Sequence, residues 1–290
     1  MNQDKTIGNR LFDIINNSLL LLVALACSLP FVYVLAVSFT SPAQVAQGGI
    51  ILFPKEWSLS AYRYIFSTDT LMRSMMVSIY ITVVGTFINL VFTSLMAYPL
   101  AKRHLRGRRT IMMGVLFTML FGGGLIPTYF VVKALNLTDT LWSLMIPTAI
   151  SAFNLIVLKN FFQQIPDGLE DSAKIDGCND LGVLIRIVLP LSLPAMATFG
   201  LFYAVGHWNQ FFNAILYIND NTKWPIQVLL REIVILASGR IGDTNIDDAE
   251  IQPLTIRMAV IVFATIPILV VYPFLQKHFA KGAMLGSVKG

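Results

Sequence analysis

The ionisable side chains best placed to do chemistry in this sequence are gathered in one polar island, residues 166–190. It carries Asp167, Glu170, Asp171, Lys174, Asp176, Asp180 and Arg186 between two apolar stretches. A plain linker would not need the order in which they come. Pro166 suits the first turn of a helix, and the acids Asp167, Glu170 and Asp171 complement the positive end of its dipole. Gly177 fits the left-handed position that closes such a helix. Asn179 or Asp180 can then cap a second helix, which turns apolar at Leu181, Val183, Leu184, Ile185, Ile187 and Leu189. The expected product is a short helix, a glycine corner and a second helix that re-enters the membrane.

Signatures of bond-making chemistry do not occur elsewhere in the sequence. There is no glycine-rich nucleotide loop ending in Lys-Ser/Thr and no His-Glu-x-x-His, and His104, His207 and His278 lie far apart. Each histidine reads as an interfacial residue, so the chain is expected to be non-catalytic, with no metal or cofactor of its own. Asn89, Asn154, Tyr203, His207, Trp208 and Asn209, in or near apolar segments, are of types that hydrogen-bond hydroxyls or stack on a sugar ring. Helix–helix contact is the competing reading for each of them.

The elements that must position these residues are membrane helices. Of 290 residues, 56% are hydrophobic and only 13% charged, against about 25% charged in a typical soluble domain. A net charge of +5 sits in short clusters beside apolar runs, not in a basic domain able to hold nucleic acid. Cys27 in the first apolar run and Cys178 in the island are expected to be well separated and unpaired. The first run continues through Phe39, too long for a signal-peptide core, and reads as a retained span despite the faint cleavage-site look of residues 24–27.

With about 20 apolar residues needed per crossing, six spans are expected, at residues 19–39, 75–100, 111–132, 141–158, 189–208 and 258–276. Pro30, Pro147, Pro194, Pro267 and Pro273 predict packed, kinked helices. The basic run KRHLRGRR at 102–109 places its loop in the cytoplasm, and alternation puts both termini and the island on that side. On this topology 13 of the 21 Lys and Arg are internal. The later five span cores hold no Asp, Glu, Lys or Arg, which argues against an ion-driven secondary transporter.

The resulting layout has a cytoplasmic N-terminus at 1–18, a first span at 19–39 and an external loop at 40–74. A transmembrane domain follows at 75–276, with the cytoplasmic loop at 162–189 and an external loop at 209–257, and then a cytoplasmic tail at 277–290. In the first external loop, SLSAYRYIF at 58–66 predicts an interfacial helix with Leu59, Tyr62, Ile65 and Phe66 on its apolar face. Gly122, Gly123 and Gly124 read as an unwound, pathway-lining element or as a close helix contact, two readings that are compatible. The second external loop, with its polar run at 239–250, is too long and polar for a simple connector.

The island also resembles the cytoplasmic loop of inner-membrane subunits of binding-protein-dependent ABC importers, whose pattern is Glu-Ala-Ala, three residues, Gly, nine residues, Ile-x-Leu-Pro. Gly177, Ile187, Leu189 and Pro190 match its spacing, while Asp171, Ser172 and Ala173 occupy the Glu-Ala-Ala positions, with Glu170 one residue earlier. The ending at Gly286, Ser287, Val288, Lys289 and Gly290 is similar to that of the maltose-importer type, and GGGLIPTY, LFYAVGHWN and LLREI look nearest to permeases for complex oligosaccharides such as pectin and alginate fragments.

The resemblance implies an all-α polytopic permease of the type I importer fold in a bacterial inner membrane. Its partners would be a second homologous permease, two ATPase subunits that bind the ATP and Mg²⁺, and an external solute-binding protein, which the 209–257 loop would meet. It implies that Glu170, Asp171, Ser172, Ala173, Lys174, Asp176, Gly177 and Asp180 couple to the ATPase, with the 286–290 tail as a second contact. The alternatives left open are a permease of this class for peptides, amino acids or polyamines, an ion-driven transporter, and a scaffold without a pathway.

Overall fold

The computed structural model describes residues 7–238 and 254–282; the 239–250 run and the 286–290 tail lie outside them. The described residues are overwhelmingly helical, with a single isolated antiparallel bridge, Thr40 to Trp57. The chain divides into two units, residues 1–69 with 230–266, and residues 70–229 with 267–290.

In the first unit, α1 (Ile7–Ser38) covers the expected first span and contains Pro30. Leu19, Leu22, Leu25, Phe31 and Leu35 are exposed along it, as suits a helix whose solvent is lipid. α2 (Pro42–Ala46) is capped by the Ser41 hydroxyl, which accepts the Gln44 N–H, and α3 (Ser60–Ser67) is the expected short helix. Its buried side is Ala61 and Ile65, whereas Leu59 is exposed. Tyr62 bonds the Ser38 hydroxyl at 2.9 Å and lies 4.9 Å from the Phe39 ring, and Phe66 meets Phe263 edge-on.

The second unit is built on α4 (Asp69–Ala101), a continuous helix long and apolar enough to cross a membrane. α1 and α14 (Leu254–Gly282), which covers the expected sixth span, also pass that test. The other three expected spans depart from continuous helices, each for a local reason. The third is α5 (Arg108–Leu120) and α6 (Leu125–Ala134), set at 119° across a break at 121–124. Gly124 there has φ +85° and ψ 172°, a region open only to glycine. Cβ atoms built on Gly122 and Gly123 would touch nothing, so within this chain the glycines unwind the helix without packing closely.

The fourth is a 3₁₀ turn, Leu141–Leu144, followed after Pro147 by α7 (Ala152–Phe162), which alone is short of a span. Proline disfavours helix in the residue before it and lacks an N–H, and Ser151 restarts the helix by capping Asn154. α7 runs past the expected end and takes in Lys159, which is buried in its last turn, so the region is not free of cations; a lysine there complements the C-terminal dipole.

The fifth span begins in the island, where α8 (Asp167–Ile175) and α9 (Asp180–Val183) lead into a π-helical turn, Leu184–Val188, and α10 (Leu189–Leu191). α11 (Leu193–Trp208) follows at 86° across Ser192. In the π turn the Leu189 N–H reaches back to the Leu184 carbonyl, an offset that accommodates Pro190, whose missing N–H would interrupt an α-helical ladder. The first half of the segment 209–257, expected to be external, is folded: α12 (Phe212–Tyr217), a 3₁₀ turn (Asn221–Lys223) and α13 (Ile226–Ser238). Two apolar clusters hold the unit. One joins Ala97, Tyr98, Leu155, Leu158, Phe162, Ala173, Val183 and Phe199. The other joins Ile81, Val132, Leu144, Met145, Tyr217 and Val228.

Candidate functional site

The polar island folds as its residues dictate. Pro166 stands extended before α8, and Asp167 and Glu170 fall in the first turn. Gly177 adopts φ +82°. The Cys178 N–H bonds the Ala173 carbonyl at 2.9 Å and the Gly177 N–H bonds Lys174 O at 3.0 Å, the paired reversal that closes a helix through a left-handed residue. Asn179, rather than Asp180, caps α9 by accepting the Gly182 N–H at 2.8 Å. Lys174 then bridges the corner to Asp180 at 2.9 Å.

The knob has two faces. Asp171, Ser172, Lys174, Ile175 and Asp176 are exposed, Ile175 at 86%. Glu170 and Ala173 are buried. The Glu170 carboxylate pairs with the Lys102 ammonium and accepts the Tyr98 hydroxyl at 3.2 Å, and Lys102 lies 4.5 Å from the Tyr98 ring centre. Burial, then the nearby Lys174, hold the Lys102 ammonium below the usual lysine range. The carbonyls ending α4 are also claimed by side chains: Leu100 O accepts from Arg108 and Ala101 O from Gln163. Tyr98 and Lys102 carried no sequence signal for this role, because their partner lies far along the chain.

A second feature is a polar cavity of about 330 Å³ lined by Asn89, Thr148, Ser151, Asn154, Phe202, Tyr203, Gly206, His207, Gln210 and Asn213. Four of the six residues expected to meet substrate, Asn89, Asn154, Tyr203 and His207, come together there. Asn89 donates to Thr148 O at 2.5 Å and pairs with His207 Nε2 at 2.7 Å. Tyr203 shares a hydrogen bond with Thr93 at 2.7 Å and accepts the Ser151 N–H. Gly85 leaves room for the imidazole, since a Cβ there would stand 2.6 Å from His207 Nε2. Trp208 and Asn209 are not among the lining residues: Trp208 is buried and Asn209 bonds Val205 O. Gln210, in the connection after α11, and Asn213, on α12, were not expected. The lining carries hydroxyl, amide and imidazole groups able to donate and accept hydrogen bonds.

At a third place, Asp139 (φ +58°) clamps two connections together. Its carboxylate accepts the N–H groups of Asn219 and Asp220 at 3.2 and 3.0 Å, and Lys223 contacts its carbonyl at 2.9 Å and its carboxylate at 3.5 Å. The Asp220 N–H foremost holds the Asp139 carboxyl below the usual range; the lesser effect of burial opposes this, and Lys223 and the Asn219 N–H add to it.

The chain resembles several known proteins. Over residues 6–284 it matches the family described as binding-protein-dependent transport system inner membrane component. It is 60% identical over 284 residues to the polygalacturonan/rhamnogalacturonan transport system permease protein YtcP of Bacillus subtilis (strain 168), covering 97% of this chain and 99% of that one. It is 57% identical over 287 residues to protein LplC of the same organism, covering 98% and 97%. Among solved structures it matches a chain of a bacterial ABC transporter involved in the import of the acidic polysaccharide alginate, with TM-score 0.87, 33% identity and coverage of 96% of this chain and 100% of that chain. With the family model spanning nearly its whole length, the chain belongs to the binding-protein-dependent transport system inner membrane components.

Proposed function

We propose that this chain is one transmembrane subunit of an ATP-driven importer for oligosaccharides, with acidic fragments of the pectin or alginate type as its substrate class. The single observation that carries the reading is the knob. Its α8 presents Asp171, Ser172, Ile175 and Asp176 outward while its other face is anchored in the bundle, as a part built to be gripped from outside would be. Ile175, 86% exposed on this outward face, is accessible to a partner. The outward residues, with Lys174 and Asp180 bracing the Gly177 corner, make the ATPase contact, and Glu170 and Ala173 fix the knob to its own chain. The 286–290 tail is a second contact. ATP and Mg²⁺ belong to two partner ATPases, and this chain contributes no catalytic group.

A second homologous permease completes the pathway, and an external binding protein delivers the sugar to the side that carries the 209–257 loop. Both termini and the knob then face the cytoplasm of a bacterial inner membrane, a placement the basic 102–109 loop supports. The cavity around Asn89, Asn154, Tyr203 and His207 offers hydrogen-bonding partners for sugar hydroxyls. The substrate reading is supported by the cavity's chemistry and by the pectin and alginate transport named for the similar proteins.

Affinity purification of the intact complex tests the proposal. It should bring down two ATPase copies, one further permease and a binding protein retaining an oligosaccharide, identified by mass spectrometry. A retained peptide, amino acid or polyamine would move the chain to another substrate class, and transport by the isolated chain along an ion gradient would overturn the ATP-driven reading.

A further inference from the structure

Resting on the ATP-driven reading above, we infer that Glu170 is a positioning residue: joined to Tyr98 and Lys102, it makes α4 the member through which the knob acts on the polar cavity. The inference begins with the way Glu170 points. α8 is short, and only Glu170 and Ala173 of its residues are buried. A carboxylate 7% exposed is unfavourable unless it is paired and hydrogen-bonded. Both partners come from the end of α4: Tyr98 in its last turn and Lys102 one residue beyond it. Lys102 in turn lies over the Tyr98 ring, so the three groups hold one another. The joint crosses a cavity of about 820 Å³ that Tyr98, Lys102, Glu170, Asp171 and Lys174 line, bridging space that apolar packing leaves open.

The same helix reaches the polar cavity. Asn89 and Thr93 lie on α4, and nine residues separate Asn89 from Tyr98, roughly 14 Å along a helix axis. Asn89 is bonded both to Thr148 O, ahead of α7, and to His207 on α11. Thr93 is bonded to Tyr203, also on α11. A shift of α8 carried into α4 by the joint therefore reaches hydrogen bonds that shape the cavity. A partner closing on ATP needs a rigid connection of this kind for its motion to change which state of the bundle is favoured.

The inference separates two roles for an acid at the start of this knob. If Glu170 faced the ATPase, its loss would weaken subunit association. If it faces α4, its loss leaves association intact and loosens the link between hydrolysis and import. The test uses the whole importer in proteoliposomes with ATP inside and binding protein outside, reading solute imported per ATP hydrolysed. Glu170→Gln and Lys102→Gln should each lower that ratio by about tenfold, a coupling on the scale of interacting residue pairs, with ATPase subunits still copurifying. The exchanged pair Glu170→Lys with Lys102→Glu should recover most of the ratio, and Tyr98→Phe should lower it less than either charge variant.

An unchanged ratio in Glu170→Gln would overturn the inference. So would loss of the ATPase subunits in that variant, or additive losses with no recovery in the exchanged pair. A wild-type complex whose ATP hydrolysis ignores binding protein and moves no solute would instead overturn the underlying ATP-driven reading.

Discussion

Gly177 shows how one residue can fix the shape of the knob. Its φ of +82° belongs to the left-handed region, and a Cβ built there would meet no neighbour, so a substitution acts through backbone conformation and not through crowding. Valine, branched at Cβ, is ill suited to that region, with a cost of about 1–2 kcal/mol. Asparagine tolerates it far better. Gly177→Val should therefore insert and assemble but import poorly, at least tenfold below wild type in a radiolabelled-sugar uptake assay, while Gly177→Asn should retain most activity. Wild-type uptake by the valine variant would show that the corner is dispensable. The left-handed turn could be read in advance because its determinants are local: Gly177 follows an acid-led helix and Asn179 stands where a cap is needed. The inward turn of Glu170 could not, because it depends on where α4 ends in space.

Among elements, the connection after α6 and the 3₁₀ turn at Asn221–Lys223 are joined through Asp139. Because its carboxyl is held below the ordinary carboxylate value, the stability it adds is fully present above about pH 4. That stability is lost as pH falls through the lowered value of the folded protein. Asp139→Asn keeps a residue type tolerant of positive φ but removes the titrating charge. Thermal melting of the detergent-solubilised protein should therefore show a shallower loss of stability below pH 4 for this variant than for wild type. Identical acid limbs would mean that the clamp does not contribute.

The same scale shows what periodicity and hydropathy left unread. α1, α4 and α14 are continuous where apolar runs predict spans. The break at 121–124 was legible as one of two compatible readings of three glycines, and the backbone of Gly124 makes it. The interruption at Pro147 and the restart of α7 come from a proline and a serine cap inside an apolar window, features that a hydropathy average smooths away. Four cavity residues could be picked by type, but Thr148 and Ser151 come from the segment before α7, Gln210 from the connection after α11 and Asn213 from α12, and only the fold brings these together.

For the molecule as a whole, the account requires an exposed knob on the ATP-facing side, anchored to a helix that runs to a polar cavity. Ile175, at 86% exposure on the knob's outward face, reports on that arrangement most directly. In a chain whose Cys27 and Cys178 are replaced by alanine, Ile175→Cys should resist a membrane-impermeant maleimide in intact cells. It should react in inside-out vesicles and be shielded there when the ATPase subunits are bound. Labelling of Cys at position 175 from outside intact cells would place the knob on the wrong side of the bilayer and contradict the account.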